Sequence, residues 1–342
     1  MKAAVSTDTS DPIQRSATMQ DVARLAGVSP MTVSNAFRNP EKVSPATREK
    51  IAAAAKMLRY IPNMVAGSLA SGRSRLIGAI VPSLANSSFS GLLRGLSEYA
   101  DRHGYELLVS VAGSPERELV AIRTFMGRRA DGIVLIGTDR LPAARRMLQE
   151  AGVAVVEAWA ERAMVDMSVG CSDFEVGAAM TRALVERGYR NIAFIGSEEK
   201  LARFEARKAG FRSVLAEAGL PSDLLVNVPG SLDMSCGVRA LEQMDQMGRP
   251  VDAVFCVTDV VGVGVIFECM RRGWAVPERL AVAGYGNYEV AAQLPTGLST
   301  IDSRSRDIGY AAAALIAEKV EKGVVSATHV DVGFDLILRN SF

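Results

Sequence analysis

Four cysteines, two histidines and two tryptophans are few for 342 residues, and each scarcity excludes something. Cys171, Cys236, Cys256 and Cys269 are scattered, with no CxxC pair and no histidine at ligand spacing. That rules against a disulfide-dense secreted scaffold and a zinc site, and it reads as reduced thiols in a cytoplasmic protein. His103 and His329 lie far apart in sequence and suggest no catalytic pair. No stretch approaches the ~18–20 uninterrupted apolar residues of a membrane span. No P-loop, HExxH, GxSxG or full GxGxxG occurs; Gly262-Val-Gly264 and Gly284-Tyr-Gly286 are fragments only. No catalytic residue, metal, cofactor or membrane partner is therefore expected. Met1 to Ala17 carries no apolar run after Lys2, so residues 1–17 read as a disordered tail and not a secretory signal.

What is present is an ordinary core-forming composition, 49% hydrophobic and 23% charged, long enough for two or three units of about 100–200 residues. The net charge of +1 conceals a division. Met1–Arg75 holds 11 Lys and Arg against 5 Asp and Glu, a net of +6, which leaves 28 against 33, a net of −5, for the remainder. A basic head on a mildly acidic body points to a polyanion met by the head alone.

Within the head, Thr18-Met19-Gln20-Asp21 is a capping-box variant and predicts a helix in which Met19, Val22, Ala23 and Ala26 follow helical spacing, ended by Gly27. Ser29-Pro30 caps and starts a second helix running to about Phe37, with Val33 and Phe37 facing inward. Ser44-Pro45 repeats the device for a third helix lined by Ile51, Ala55 and Leu58. Two short helices joined by Gly-Val-Ser under a third make a helix-turn-helix unit, whose second helix enters the major groove.

The run from Asp21 through Ser34, Asp-Val-Ala-Arg-Leu-Ala-Gly-Val-Ser-Pro-Met-Thr-Val-Ser, resembles the headpiece of the lactose/galactose repressor family. Tyr60-Ile61-Pro62-Asn63-Met64-Val65-Ala66-Gly67-Ser68-Leu69 resembles that family's hinge segment. The resemblance implies base contacts from Pro30, Met31 and Asn35, and phosphate contacts from Thr18, Thr32, Ser34, Tyr60 and Asn63. It also implies a hinge helix carrying Ala66 and Leu69 to the minor groove, with Leu69 wedged into the central base step. Asn35 departs from a common family pattern, because arginine is frequent there. Asparagine pairs with adenine N6/N7, whereas arginine prefers guanine O6/N7, so the half-site is expected to differ at that position.

From Leu76 the pattern changes to short apolar runs alternating with amphipathic helices. Strands are expected at Leu76–Val81, Glu106–Val111, Gly132–Ile136 and Ala154–Val156, with helices around Leu92–Arg102, Glu116–Arg128 and Ala143–Ala151. A second set is expected to begin near Val169, with strands at Ile192–Ile195, Ala253–Val257 and Leu280–Ala283. Its helices are placed near Val176–Arg187, Ala206–Ala218, Gly237–Met247, Val261–Arg272 and Ile308–Lys322. The fold class expected is thus an N-terminal all-α helix-turn-helix headpiece plus an α/β body of two parallel-sheet lobes. Its domains are residues 18–62 for the DNA-binding unit, 63–75 for hinge and linker, and 76–342 for a two-lobed effector-binding and dimerisation unit. The body of the resembled family is periplasmic-binding-protein-like, and the resemblance extends over nearly the whole chain.

Ligands of open α/β sheets lie beyond the carboxyl ends of the strands. That rule nominates Ser83, Asn86, Phe89, Glu157 and Trp159 in the first lobe. In the second it nominates Glu198–Arg207, including Arg203, and then Thr258, Asp259, Tyr285, Gly286 and Asn287. Planar polar groups with an aromatic face suit a hydroxyl-rich ligand. Arg207, in Arg-Lys-Ala-Gly-Phe, matches the family arginine that grips the effector. Gly286 stands where many members carry an aspartate. Losing a carboxylate while keeping Arg207, with Arg203 and Lys200 nearby, favours an anionic effector such as a sugar acid. Phe255-Cys-Val-Thr-Asp259, Phe267-Glu-Cys269 and Gly333-Phe334 resemble the gluconate-repressor branch.

The expected function is a transcriptional repressor that binds a palindromic operator in double-stranded DNA as a homodimer, controlled by a small sugar or sugar acid such as gluconate. Without a leucine heptad tail, a dimer and not a tail-made tetramer is expected. The competing reading is an α/β sugar-binding or sugar-modifying protein with no DNA role.

Overall fold

The computed structural model describes residues 17–61, 73–84, 87–230 and 232–342. Two compact units divide the chain, Met1–Ser74 and Arg75–Phe342.

The head is three helices, α1 (Met19–Ala26), α2 (Pro30–Arg38) and α3 (Pro45–Met57), with a short 3-10 turn at Pro40–Lys42. Each helix starts on a hydroxyl. The Thr18 hydroxyl accepts from the Asp21 N–H while the Asp21 carboxylate accepts from the Thr18 N–H, a reciprocal capping box. Ser29 caps α2 and Ser44 caps α3, each followed by a proline at the first helical position, where the missing N–H has no partner to lose. Val22, Ala23, Val33, Ile51, Ala54 and Ala55 form the core, each large aliphatic contributing roughly 1.5–3 kcal/mol on burial. One expectation fails here. Phe37 does not face inward but lies 41% exposed at the outer end of α2, its ring 6.2 Å from that of Tyr60. Val33 and Ile51 already fill the space between the three short helices.

The body contains two six-stranded sheets. The first comprises β1 (Leu76–Val81), β2 (Glu106–Val111), β3 (Gly132–Ile136), β4 (Ala154–Ala158), β5 (Met167–Gly170) and β11 (His329–Asp331). They lie in the order β11-β5-β4-β3-β1-β2, all parallel. The second comprises β6 (Ile192–Ser197), β7 (Leu225–Val228), β8 (Ala253–Cys256), β9 (Ala281–Tyr285), β10 (Ser299–Asp302) and β12 (Asp335–Ile337). Their order is β12-β10-β9-β8-β6-β7, with β12 antiparallel at the edge. Buried apolar clusters cover both faces of each sheet, which is why the central strands read as continuous apolar runs.

In the first lobe the helices are α4 (Ser87–His103), α5 (Pro115–Gly127) and α6 (Pro142–Ala151). In the second they are α7 (Asp173–Glu186), α8 (Ala202–Glu217), α9 (Ser235–Met247), α10 (Asp259–Arg271) and the short α11 (Glu289–Gln293). The last helix, α12 (Ser305–Lys322), corrects the expected order. It returns to the first lobe and packs on α4. Val169 likewise belongs to the first sheet, in β5. The physical reason is a stripe of glycines. A Cβ at Gly95 would stand 1.9 Å from the Arg306 carbonyl oxygen, and one at Gly309 would stand 2.0 Å from that of Leu92. Only hydrogen at these positions lets the two helix backbones approach so closely. The chain therefore passes between lobes after β5, after β10 and between β11 and β12.

Candidate functional site

The carboxyl ends of the strands in both lobes gather at one cleft. From the first lobe come Trp159 after β4, Phe89 on α4 and the turn Gly137 to Arg140 after β3. The Phe89 and Trp159 rings meet edge to face at 5.7 Å, and Trp159 adopts the left-handed backbone region with φ 52. Its indole N–H donates to the Ser303 hydroxyl at 3.3 Å, in the passage after β10. The Ser88 hydroxyl donates to the Tyr288 hydroxyl of the second lobe at 3.2 Å. Asp139 accepts from the Ala202 N–H at 3.0 Å, capping α8 from the opposite lobe.

The second lobe contributes a buried guanidinium. Arg207, on α8, is 1% exposed. One of its terminal nitrogens donates to the Val257 carbonyl at 2.7 Å and the other to the Asp173 carboxylate at the start of α7. Its plane lies over the Tyr285 ring, 3.5 Å from the centroid. Burial alone opposes the charge, but Asp173 and Tyr285 outweigh it and hold the Arg207 pKa above its ordinary value. Burial pushes the Tyr285 phenol up, and it raises the neighbouring Cys171 thiol to about 12. The Nε of Arg207 and the hydroxyl of Thr258 are buried without hydrogen-bond partners. Two orphan polar atoms at the end of β8 are what a ligand would satisfy.

The residues nominated from sequence separate into two groups. Phe89, Trp159, Arg203, Arg207 and Tyr285 come together at the cleft, and Ser83 lies half-buried just after β1. Glu157, Asp259 and Asn287 are committed elsewhere. Glu157 is fully buried, ion-paired with Arg140, and accepts from the backbone N–H groups of Met164 and Val165. Arg140 also reaches Glu118 at 3.4 Å, whose carboxyl burial raises. Asp259 accepts from the Thr300 hydroxyl at 2.6 Å and the Tyr288 N–H at 2.8 Å. Asn287 donates to Asp302 and accepts from Arg339. These three brace the cleft walls with both ends of their polar groups used. Asn86 lies outside the described residues, as do Asn63, Ala66 and Leu69 of the hinge segment.

Sequence reasoning missed Asp173, Ser88 and Tyr288. The rule that found the others reaches Asp173, because it follows β5 directly, yet placing that strand in the wrong lobe hid it. Tyr288 explains Gly286. That glycine has φ 126, and a Cβ there would stand 2.2 Å from the Tyr288 ring. The room a side chain at 286 would need is filled by an aromatic that also spans to Ser88.

In the head, Met31 projects into the open at the start of α2, 69% exposed, beside exposed Pro30. Ser34 and Asn35 are half-buried, and Thr32 shares a hydrogen bond with Ser29 at 2.9 Å. The Thr18 hydroxyl donates to Asp21 at 2.6 Å, so its proton is engaged within the cap. Tyr60 closes α3, its N–H donating to the Ala55 carbonyl. Among the described residues, no cluster of His, Cys, Asp or Glu is arranged to hold a metal ion, and no helix is long and apolar enough to cross a membrane.

Comparison with known proteins agrees with both units. Residues 18–63 match the family described as bacterial regulatory proteins, lacI family, and residues 181–342 match the periplasmic binding protein-like domain. The chain is 34% identical over 321 residues to the HTH-type transcriptional regulator GntR of Escherichia coli (strain K12), covering 93% of this chain and 96% of that protein. A LacI-family transcriptional regulator from Silicibacter pomeroyi superposes with a TM-score of 0.85 at 32% identity, covering 95% of this chain and 99% of the other. The transcriptional regulator CelR in complex with cellobiose superposes with a TM-score of 0.71 at 26% identity, over 95% of this chain and 100% of that one.

Proposed function

Because this chain belongs to the lacI family of bacterial regulatory proteins, we propose that it is a repressor that binds a palindromic operator as a homodimer, and that a sugar acid in its cleft controls that binding. In this reading Pro30, Met31 and Asn35 meet base edges, and Thr32, Ser34 and Tyr60 meet phosphates. The proposal extends to Asn63 on a phosphate and to Ala66 and Leu69 in the minor groove. Thr18, whose hydroxyl proton is held by Asp21, would meet phosphate as an acceptor of water or through its backbone. A second copy is favoured by the edge strand β2, which leaves Val109 and Val111 exposed on one side. Cytoplasmic location follows from the same reading, since operator DNA is there.

The observation that carries the effector half is the Arg207 environment. A neutralised guanidinium, held over Tyr285 and offering an unpartnered Nε, together with the unpartnered Thr258 hydroxyl, supplies oriented groups for hydroxyl oxygens. Trp159 and Phe89 supply an apolar face for the C–H side of a sugar skeleton. A relative solved with cellobiose supports a sugar-like occupant, and the loss of any side chain at position 286 favours an acid over a neutral sugar.

Linkage supplies the mechanism. A ligand that prefers one arrangement of the lobes shifts the population toward it, and DNA affinity changes by the same coupling energy. The test is thermal unfolding of the full chain with gluconate, glucose, cellobiose and adenine in turn. A ligand at 100 times its Kd stabilises the folded protein by about 2.7 kcal/mol. Stabilisation by gluconate is the expected result; stabilisation by adenine or the neutral sugars alone would refute the sugar-acid reading.

A further inference from the structure

Most of the charged side chains named at the cleft are paired or hydrogen-bonded, and one cation is not. Arg207 is neutralised by Asp173. Asp139 holds the Ala202 N–H, Glu157 and Glu118 are taken by Arg140, and Asp259 is enclosed by Thr300 and Tyr288. Arg203 differs from all of these. Among the described residues it forms neither a hydrogen bond nor an ion pair. Its guanidinium lies over the Phe204 ring, 4.7 Å from the centroid. One terminal nitrogen comes within 3.0 Å of where a Cβ on Gly137 would stand, so the side chain spans from α8 to the wall of the first lobe. Burial pulls its pKa down from the ordinary arginine value, with Asp173 opposing and Arg207 adding to the fall. A partly desolvated cation with no ion pair among the described residues is incomplete in the way ligand-binding groups are.

We propose that Arg203 is the residue that reads the ligand's carboxylate, and that Arg207 reads hydroxyls. The assignment rests on the sugar-acid reading above and divides its labour by charge. Arg207 and Asp173 together are neutral, so the pair attracts a polyol and an acid alike. The Arg203 guanidinium, free of any ion pair among the described residues, matches a carboxylate. Because the side chain lies against Gly137, a carboxylate bound there is held at the seam between the lobes, where its presence favours the arrangement that brings Arg203 to Gly137.

The experiment is calorimetric titration of the full-length protein with D-gluconate and with D-glucitol, which keeps the carbon chain and lacks the carboxylate. Wild type is expected to bind gluconate at least roughly tenfold tighter than glucitol, the contribution of a charge-assisted hydrogen bond. Arg203→Gln is expected to weaken gluconate roughly ten- to a hundredfold, down to the glucitol level, while leaving glucitol unchanged; Arg203→Lys recovers part of the difference. Unliganded melting temperatures of the variants establish that each is folded. If Arg203→Gln binds gluconate as tightly as wild type, the assignment of Arg203 is overturned and the sugar-acid reading stands. If wild type binds gluconate no better than glucitol, the sugar-acid reading itself fails and the assignment falls with it.

Discussion

Removing Asp173 should expose how the cleft holds a buried charge. In Asp173→Ala the Arg207 guanidinium keeps its bond to the Val257 carbonyl at 2.7 Å and its place over Tyr285, but loses the anion it is paired with while remaining 1% exposed. Breaking a buried pair by deleting one partner typically costs about 3–5 kcal/mol, since the survivor stays desolvated and uncompensated. The two interactions that survive place this case near the lower end, about 3 kcal/mol. At roughly 2–4 °C per kcal/mol for a unit of this size, the body should melt about 6–12 °C lower. Differential scanning fluorimetry and urea titration of the full chain provide the assay. The double variant Asp173→Ala/Arg207→Met removes both charges and should regain a large part of the loss, because a methionine fills much of the space without a charge to desolvate. A loss below about 1 kcal/mol in Asp173→Ala, or no recovery in the double variant, would refute the claim that the pair stands in a low-dielectric wall.

Three further outcomes are expected. Burial raises the Asp259 carboxyl from 3.8 to about 6, so its contribution to stability is fully present below pH 4 and lost as pH rises through 6. Asp259→Asn should therefore gain on wild type by roughly 3 kcal/mol between pH 4 and pH 7, read by urea titration, and a pH-independent difference would contradict this. Gly95→Ala should destabilise the body by about 1–3 kcal/mol or more, since its Cβ meets the Arg306 carbonyl and the helices must separate; Gly27→Ala in the head meets nothing within 4 Å and leaves the body transition where it is. Asn35→Arg should move operator preference from adenine to guanine at one base pair of each half-site by about 1–3 kcal/mol, measured by anisotropy titration with paired operators; unchanged preference removes Asn35 from base readout.

The head was legible residue by residue because its signals are local. Thr18 with Asp21, Ser29 with Pro30 and Ser44 with Pro45 each act within one helical turn, and the helices begin where those pairs stand. The central strands β1, β3, β6, β8 and β9 were legible because a strand buried on both faces must be apolar throughout. The short strands β5, β7, β10, β11 and β12 were not. All five are three or four residues long, and they carry no periodicity of their own, since their pairing partners decide them. Phe37 failed for a related reason: helical spacing indicates which residues share a face, but not how far a small core extends along it.

Composition and local pattern were enough for the two architectural classes and the division of charge between them. Those properties depend on neighbours within a few residues or on composition, both of which can be read along the chain. Only the packed fold shows that α12 belongs to the first lobe, that Glu157 and Asp259 are braces, and that Asp173 neutralises Arg207 while Arg203 has no ion-pair partner among the described residues. Each is a matter of which groups from distant segments are brought within hydrogen-bonding or steric reach. A carboxylate's role depends on whether its oxygens are already taken, and that is settled only when the lobes are packed.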